Sequence, residues 1–192
     1  SEEGVIFRSY RDGKKILLTP ESSIEAQKDL GADIIIPLDE LPPYHIEKKS
    51  LEDSLDRTHR WEERSLNTHL KNPRNQAMYA VIHGGIDALL RQKSCHYLTK
   101  LAFDGFAIGG SLGKTKQEMF EVLRSTMPHL PPEKPNHLLG IGDLTSIEMC
   151  IPMGIDTFDS SYPTRAARHG ILLTPEGHLK IGKSSHADMF SA

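Results

Sequence analysis

The chain has 192 residues, 38% of them hydrophobic and 26% charged, which is typical of a globular protein with one sizeable core. Its formal net charge of −3 argues against a general nucleic-acid-binding protein, because such proteins are strongly basic, although it leaves room for a local basic patch. No run of about 18 apolar residues occurs, so we predict no membrane span. The first residues, SEEGVIF, lack the basic and apolar regions of a signal peptide.

The two cysteines, Cys95 and Cys150, lie far apart and form no CxxC motif. This pattern predicts reduced thiols in a cytoplasmic protein, with neither a disulfide framework nor a complete zinc site within the chain.

The N-terminal region predicts a hairpin and then a helix. VIFRSY and KILLT, between residues 4 and 19, flank RDGK, and an Asp-Gly pair favours a tight turn. TPESSIEAQKDLG predicts a helix that has Thr19 as its N-cap, Pro20 in its first turn and Gly31 at its end.

Five short apolar segments then alternate with amphipathic helical patterns, which predicts parallel βαβ units. The tail, ILLTPEGHLKIG, predicts another hairpin around Pro-Glu-Gly. The predicted strands span residues 32–40, 78–85, 103–110, 137–143 and 155–161.

Two architectures fit this alternation: a doubly wound sheet and a (β/α)₈ TIM barrel. We favour the barrel, because each strand ends in glycine or a polar residue and these ends would converge on one rim. No GxGxxG or P-loop motif supports the alternative. A barrel needs eight units and typically about 250 residues, so the chain is predicted to be part of one.

Two carboxylates, Asp39 and Asp159, follow predicted strands. Such an aspartate can act as a nucleophile, a general base or an acceptor for a ligand, or simply cap a helix or form a turn. His83 fits a ligand, a base or a core histidine with satisfied hydrogen bonds. The glycine pairs at 84–85 and 109–110 allow close backbone approach to a ligand, or serve turn geometry alone.

A basic loop follows Asp159 in the stretch GIDTFDSSYPTRAARHG, residues 154 to 170. Arg165 and Arg168 are three residues apart, so a helical turn would place them side by side. Guanidinium groups suit phosphate, and with Thr164 adjacent we predict an anion-binding loop; the alternative is a solvated surface. Asp143 is predicted to cap the helix that begins near Leu144.

These motifs resemble those of the queuine tRNA-ribosyltransferases, or tRNA-guanine transglycosylases, in a form similar to chlamydial members. The matching stretches run almost end to end, and the FD…PTRxxR pattern around Asp159 is the most specific of them. They read EEGVIFRS, LLTPESSIEAQ, LGADIIIPLDE, VIHGG, FDGFAIGG, LLGIGD and GIDTFDSSYPTRAARHG.

The resemblance implies a TIM barrel that exchanges guanine at the tRNA wobble position for queuine or a 7-deazaguanine precursor, in queuosine biosynthesis. It implies Asp159 as the nucleophile that forms a covalent ester with the ribose. It implies base binding by Asp39, His83 and the backbone of Gly110. Two segments would bind the tRNA anticodon loop: Gly140, Ile141, Gly142, Asp143, Leu144, Thr145 and Ser146, and Thr164, Arg165, Ala166, Ala167 and Arg168.

Three features depart from the family pattern. His83 stands where relatives usually carry Gln, and the loop after Gly110 is one residue shorter, with Lys114 where an acid is usual, so the choice of base stays open. The family's general acid/base and DSGGFQ loop would lie upstream of residues 1–192, and its Cys₃His zinc site downstream. We therefore predict one partial barrel domain over residues 1–192, with no metal ligands in this chain and zinc in a full-length member.

Three functional hypotheses remain. The first is a transglycosylase of which this chain is a part, and the resemblance implies a homodimer. The second is a non-catalytic tRNA-binding or accessory subunit, which would have no reason to keep Asp159. The third is a barrel glycosidase or sugar-phosphate enzyme that uses Asp39 and Asp159.

Overall fold

The computed structural model describes residues 1–182. Strands β1 (Val5–Arg8) and β2 (Lys15–Leu18) form the predicted antiparallel hairpin, with Arg8 opposite Lys15. The turn includes the predicted Asp-Gly pair, but it is longer than a two-residue turn. The Ser9 N–H donates to the Lys14 carbonyl and closes a four-residue loop, in which Gly13 takes a left-handed conformation with φ of 70°.

Helix α1 (Pro20–Leu30) begins and ends as its sequence predicts. The Thr19 hydroxyl accepts the Ser22 N–H, and the Ser22 hydroxyl accepts the Thr19 N–H in return. Gly31 stops the helix with φ of 72°, a conformation that glycine adopts without steric cost.

Five parallel strands form the main sheet, each hydrogen-bonded to the next in chain order. Helices lie between consecutive strands, as the alternating pattern predicts. The strands are β3 (Ile34–Ile35), β4 (Ala77–Ile82), β5 (Gly105–Ile108), β6 (Asn136–Leu138) and β7 (Thr157–Phe158), and the helices are α2 (Lys48–Leu70), α3 (Ala88–Leu98), α4 (Lys116–Thr126) and α5 (Leu144–Cys150).

The unbroken strand order decides between the two predicted architectures. A doubly wound sheet reverses direction at a switch point, whereas each strand here pairs with its successor. The sheet curls as half of a TIM barrel, so the predicted fold class is confirmed for part of a barrel.

Strand β3 is much shorter than the predicted segment 32–40. The Gln27 side chain explains where the strand ends. Its amide oxygen accepts the Ile36 N–H at 2.9 Å, and its amide nitrogen donates to the Ile36 carbonyl at 2.8 Å. With both polar groups of Ile36 satisfied by α1, the backbone leaves the sheet.

Side chains alternate between two faces of the sheet. On the helix-covered face, Met78, Ile82, Phe106, Ile108 and Leu138 belong to the buried core, together with side chains of α2, α3 and α4. The opposite face would line a barrel interior. It carries Tyr79, Val81, His83, Ala107, His137, Thr157 and Asp159.

Glycines on and directly after β5 leave room on that interior face for side chains of the neighbouring strand β4. A Cβ on Gly105 would lie 2.6 Å from the Tyr79 ring, and one on Gly109 would lie 2.5 Å from Val81. The glycines are therefore required by close packing at these positions.

Beyond the sheet, α6 (Tyr162–Arg168) leads into a second hairpin. Its strands, β8 (Ile171–Thr174) and β9 (Gly177–Lys180), confirm the hairpin predicted for the tail. Across residues 1–182, no helix combines the length and the apolar character needed to cross a bilayer.

Candidate functional site

Two groups of polar residues lie at the carboxyl edge of the sheet, where parallel barrels keep their active sites. The Asp39 cluster comprises Asp39, His83 and Gly110, from the loops after β3, β4 and β5. The Asp159 cluster comprises His137, Gly140, Thr157 and Asp159, from β6, β7 and their following loops. Asp39 and Asp159 thus follow the two outer strands of the five, with three strands between them.

In the Asp39 cluster, the carboxylate is bound to the buried imidazole. Asp39 Oδ2 lies 2.8 Å from His83 Nε2, and the His83 side chain is 4% exposed. A carboxylate accepts, so in a neutral ring Nε2 carries the proton and Nδ1, beside Gly110, is an acceptor. The second oxygen of Asp39 has no donor among residues 1–182 and is open to a ligand.

Arg91 holds the two glycine loops of this cluster together. Its guanidinium is buried and donates to the carbonyls of Ile82, Gly85 and Ser111, at 2.8, 2.8 and 3.1 Å. Burial lowers the pKa of Arg91 to about 10, so it stays charged at neutral pH. One side chain therefore sets the spacing between the loops that follow β4 and β5.

Ser94 and His59 support His83 from behind. The Ser94 hydroxyl accepts the His83 N–H at 3.2 Å and lies 3.1 Å from His59 Nε2. Burial lowers the pKa of His59 to about 4, so its ring is neutral and can accept the Ser94 hydroxyl proton. Tyr97 stacks on His59 with 4.6 Å between ring centroids.

Glu62 replaces a missing strand partner of β4. Because β3 ends early, the Val81 N–H donates to Glu62 Oε2 at 3.1 Å instead of to a strand. The other oxygen, Oε1, has no partner among the described residues. Complete burial raises the pKa of Glu62 well above its ordinary value. Burial of Glu62 behind the Asp39 cluster thus favours the neutral form of its carboxyl group.

A cleft of about 210 Å³ opens beside His83 and Gly110. Pro43, Tyr44 and Leu51 line its other side. The Tyr44 hydroxyl donates to Glu118, whose carboxylate also accepts the Lys114 N–H, so the short loop after Gly110 is tied to the loop after β3. His83 and Gly110 of the Asp39 cluster therefore border a cleft with several apolar side chains in its lining.

The Asp159 cluster is more open. Asp159 Oδ1 accepts the Gly140 N–H at 2.7 Å and lies 3.1 Å from His137 Nε2, while 57% of the Asp159 side chain is exposed. Its Oδ2 has no partner within residues 1–182. One carboxylate oxygen is fixed and the other faces open space, as a nucleophile requires.

Of the predicted segment 140–146, part faces outward and part supports the fold. Asp143 caps α5 as predicted, accepting the Ser146 N–H and hydroxyl, and Ser146 is buried. Gly140, Leu144 and Thr145 are exposed. Gly142 packs tightly, since a Cβ there would lie 2.5 Å from Ser160.

Of the predicted segment 164–168, all five residues lie on α6. Ala166 is buried, whereas Thr164, Arg165, Ala167 and Arg168 are exposed. Neither guanidinium has an acidic partner within the part of the chain that the structure describes. Both arginines lie on the helix that follows Asp159 along the chain.

Both cysteines are free thiols, as predicted, and both are buried. Burial raises the pKa of Cys95 to about 12, which disfavours the thiolate that zinc requires. No group of three or more His, Cys, Asp or Glu side chains in residues 1–182 could hold a metal. The described residues therefore do not fit a zinc site.

Sequence reasoning missed several residues of the two clusters: Arg91, Glu62, Ser94 and His137. His137 had a detectable signal, because it is a polar residue directly before the apolar pair Leu138 and Leu139. The others lie on helices, where their spacing resembles that of ordinary helix residues.

Comparisons with known proteins agree with these motifs. The family model described as Queuine tRNA-ribosyltransferase matches residues 1–192. The queuine tRNA-ribosyltransferase of Protochlamydia amoebophila is 72% identical over 192 residues, which are 100% of this chain and 50% of that protein.

Two further relatives of the same name are less similar. That of Chlamydia caviae is 55% identical over 192 residues, covering 100% of this chain and 52% of the relative. That of Chlamydia trachomatis serovar D is 55% identical over 187 residues, covering 97% and 50%. The chain spans about half the length of the curated relatives it matches. It belongs to the queuine tRNA-ribosyltransferase family, with the chlamydial likeness that its motifs predict.

Proposed function

We propose that this protein exchanges guanine at the tRNA wobble position for queuine or a related 7-deazaguanine, as part of queuosine biosynthesis. The observation that carries the proposal is Asp159 itself. One of its oxygens is held by two donors, the other is free, and two unpaired arginines lie on the next helix. Family membership supports the reaction class. The geometry supports Asp159 as the nucleophile and the two arginines as RNA-binding residues.

The chemistry is a double displacement at C1′ of the ribose. Asp159 Oδ2 forms a bond to C1′ while the bond from C1′ to guanine breaks, and guanine leaves with the bonding electrons and takes up a proton. The incoming base then forms a bond to C1′ as the bond from C1′ to Oδ2 breaks. The electron pair of the broken bond returns to the Asp159 carboxylate, and the base loses its ring proton to solvent. Two inversions retain the configuration, as in retaining glycosidases.

The Asp39 cluster would recognise the base. Asp39 Oδ1, which is free, accepts from the ring N–H and the exocyclic amine, and the Gly110 N–H donates to the base carbonyl. The Nε2–H of His83 already donates a hydrogen bond to Asp39 Oδ2. We assign it the task of orienting that carboxylate, in place of the direct bond that the usual Gln makes.

The RNA would lie across the Asp159 cluster and α6. Arg165 and Arg168 are free to pair with phosphates on either side of the wobble nucleotide. The exposed residues Gly140, Leu144 and Thr145 would contact the same loop.

We further propose that residues 1–192 form the central part of one barrel domain. The coverage of about half of each relative supports this assignment. The zinc subdomain implied by the family would then lie outside this chain, and the homodimer stays a prediction for sedimentation analysis of the whole protein.

The test is tRNA-dependent exchange of labelled guanine, followed by a denaturing gel for a covalent protein–tRNA adduct. The whole protein should incorporate the label and form the adduct. Asp159→Asn should abolish the adduct and lower exchange by more than about 1,000-fold, because the nucleophile is lost. tRNA binding should persist.

Asp53→Asn is the matched control, since it removes an exposed carboxylate on α2 and should change neither readout. An adduct that survives Asp159→Asn removes Asp159 from the nucleophile role. Binding of tRNA without exchange in the wild type would favour the accessory-subunit alternative, and sugar hydrolysis without exchange would favour a glycosidase.

A further inference from the structure

We propose that His137 is a positioning residue for Asp159, and that its main effect is on the step that releases the covalent ester. The inference rests on the proposed function, because it concerns how Asp159 acts. It assigns a role to a residue that the sequence motifs leave without one.

The sheet register brings the two residues together. His137 on β6 lies opposite Thr157 on β7, and Asp159 is two residues beyond Thr157, on the same face of the sheet. His137 Nε2 is 3.1 Å from Asp159 Oδ1, and His137 Nδ1 is 2.8 Å from the Thr157 hydroxyl. The three side chains form one line along the interior face.

The hydrogen bonds fix which ring nitrogen carries the proton. The Asp159 carboxylate can only accept, so Nε2 must donate to it. In the tautomer with the proton on Nε2, Nδ1 can accept the Thr157 hydroxyl at 2.8 Å. His137 side-chain exposure is 16%, so the packed ring keeps this orientation.

This arrangement makes the two oxygens of Asp159 unequal. Oδ1 receives two donors, from His137 and Gly140, and Oδ2 receives none within the described residues. Attack therefore occurs through Oδ2, and Oδ1 becomes the carbonyl oxygen of the ester.

The same donors affect the two half-reactions differently. They stabilise the carboxylate, so they lower its nucleophilicity while they orient it. When the ester opens, negative charge returns to the carboxylate, and donors already in place stabilise that developing charge. Loss of His137 should thus slow ester opening more than ester formation, and the ester should accumulate.

The decisive experiment compares His137→Phe and His137→Gln in the whole protein. Phe keeps a flat ring without a donor, whereas the Gln amide can place a donor near the position of Nε2. We expect His137→Phe to slow base exchange roughly 10- to 100-fold and to raise the fraction of protein trapped as covalent adduct. His137→Gln should restore most of the exchange rate and the wild-type adduct fraction.

Controls separate this inference from the proposed function. His96→Phe, at an exposed position on α3, should change neither rate nor adduct fraction. A wild type without any adduct would refute the proposed function and the inference with it. An adduct that needs Asp159, with unchanged exchange or an unchanged or lower adduct fraction in His137→Phe, would overturn the inference alone.

Discussion

The Asp39 cluster and the Asp159 cluster lie on the same edge of the sheet but are built differently. His83 and Arg91 are buried. His83 bonds Asp39 and Ser94, and the Arg91 guanidinium donates to three backbone carbonyls. Asp159, Arg165 and Arg168 are exposed and have few partners.

The difference matches the two ligands that we propose. A small flat base is recognised by a few donors and acceptors at fixed positions, so its site must be rigid before binding. A large polyanion such as tRNA binds through its phosphates, so its site needs an exposed surface with unpaired positive charges. The contrast predicts that substitutions in and around the Asp39 cluster lower stability. Substitutions around the Asp159 cluster and on α6 should lower RNA binding.

The largest effect on stability is expected at Arg91. Arg91→Met removes the guanidinium donor from the carbonyls of Ile82, Gly85 and Ser111. It should lower the free energy of unfolding by about 4 kcal/mol. Arg91→Lys keeps a positive charge but fewer hydrogen bonds and should recover part of this loss. Urea unfolding of the whole protein measures both, and a loss below about 1 kcal/mol in Arg91→Met would contradict the role of Arg91 in joining the loops.

His59 should make the same region sensitive to acid. Its pKa is lowered to about 4 in the folded protein, from 6.5, because it is buried. The unfolded chain therefore binds a proton first, and stability is lost as the pH falls from 6.5 towards 4, by about 3 kcal/mol in total. His59→Gln keeps an acceptor for Ser94 but does not titrate.

Unfolding free energies at pH 7, 5 and 4 test this prediction. The difference between the wild type and His59→Gln should shift in favour of the variant as the pH falls. A difference that is constant across this range would show that His59 is not the titrating group.

The exposed region should respond mainly in RNA binding. Replacing Arg165 and Arg168 together with Gln should weaken tRNA binding about tenfold and lower the salt slope by about 1 to 2. Unfolding should be almost unchanged. The matched control is Lys100→Gln with Arg124→Gln, exposed residues after α3 and in the last turn of α4, at the opposite edge of the sheet. An unchanged slope in the Arg165 and Arg168 variant would assign these arginines to ordinary surface.

The smallest effect is expected at the cap of α5. Asp143→Ala removes the acceptor of the Ser146 N–H and should cost about 1 kcal/mol of stability. Asp143→Asn keeps a capping oxygen and should cost less. A thermal melt distinguishes the two variants. A loss of stability in Asp143→Ala as large as that in Arg91→Met would contradict the difference in rigidity between the two clusters.

Much of this organisation could be predicted from the sequence. Apolar periodicity located every element of the parallel sheet, and local chemistry located the Thr19 and Asp143 caps. Strand-end positions identified Asp39, His83 and Asp159 because polar residues interrupt apolar runs there. The length of β3 was overestimated, since its end depends on the Gln27 side chain of another element.

By itself, the sequence determined the order of helices and strands, the βαβ alternation, the caps and the residues at the strand ends, because these follow from neighbours within a few positions along the chain. Only the tertiary structure decided which distant side chains meet. It placed His137 against Asp159 through the register of β6 and β7, Glu62 against β4 where β3 ends, and Arg91 between two glycine loops. These contacts join residues between 6 and 22 positions apart. Strand register and helix packing, which no local pattern encodes, bring them together.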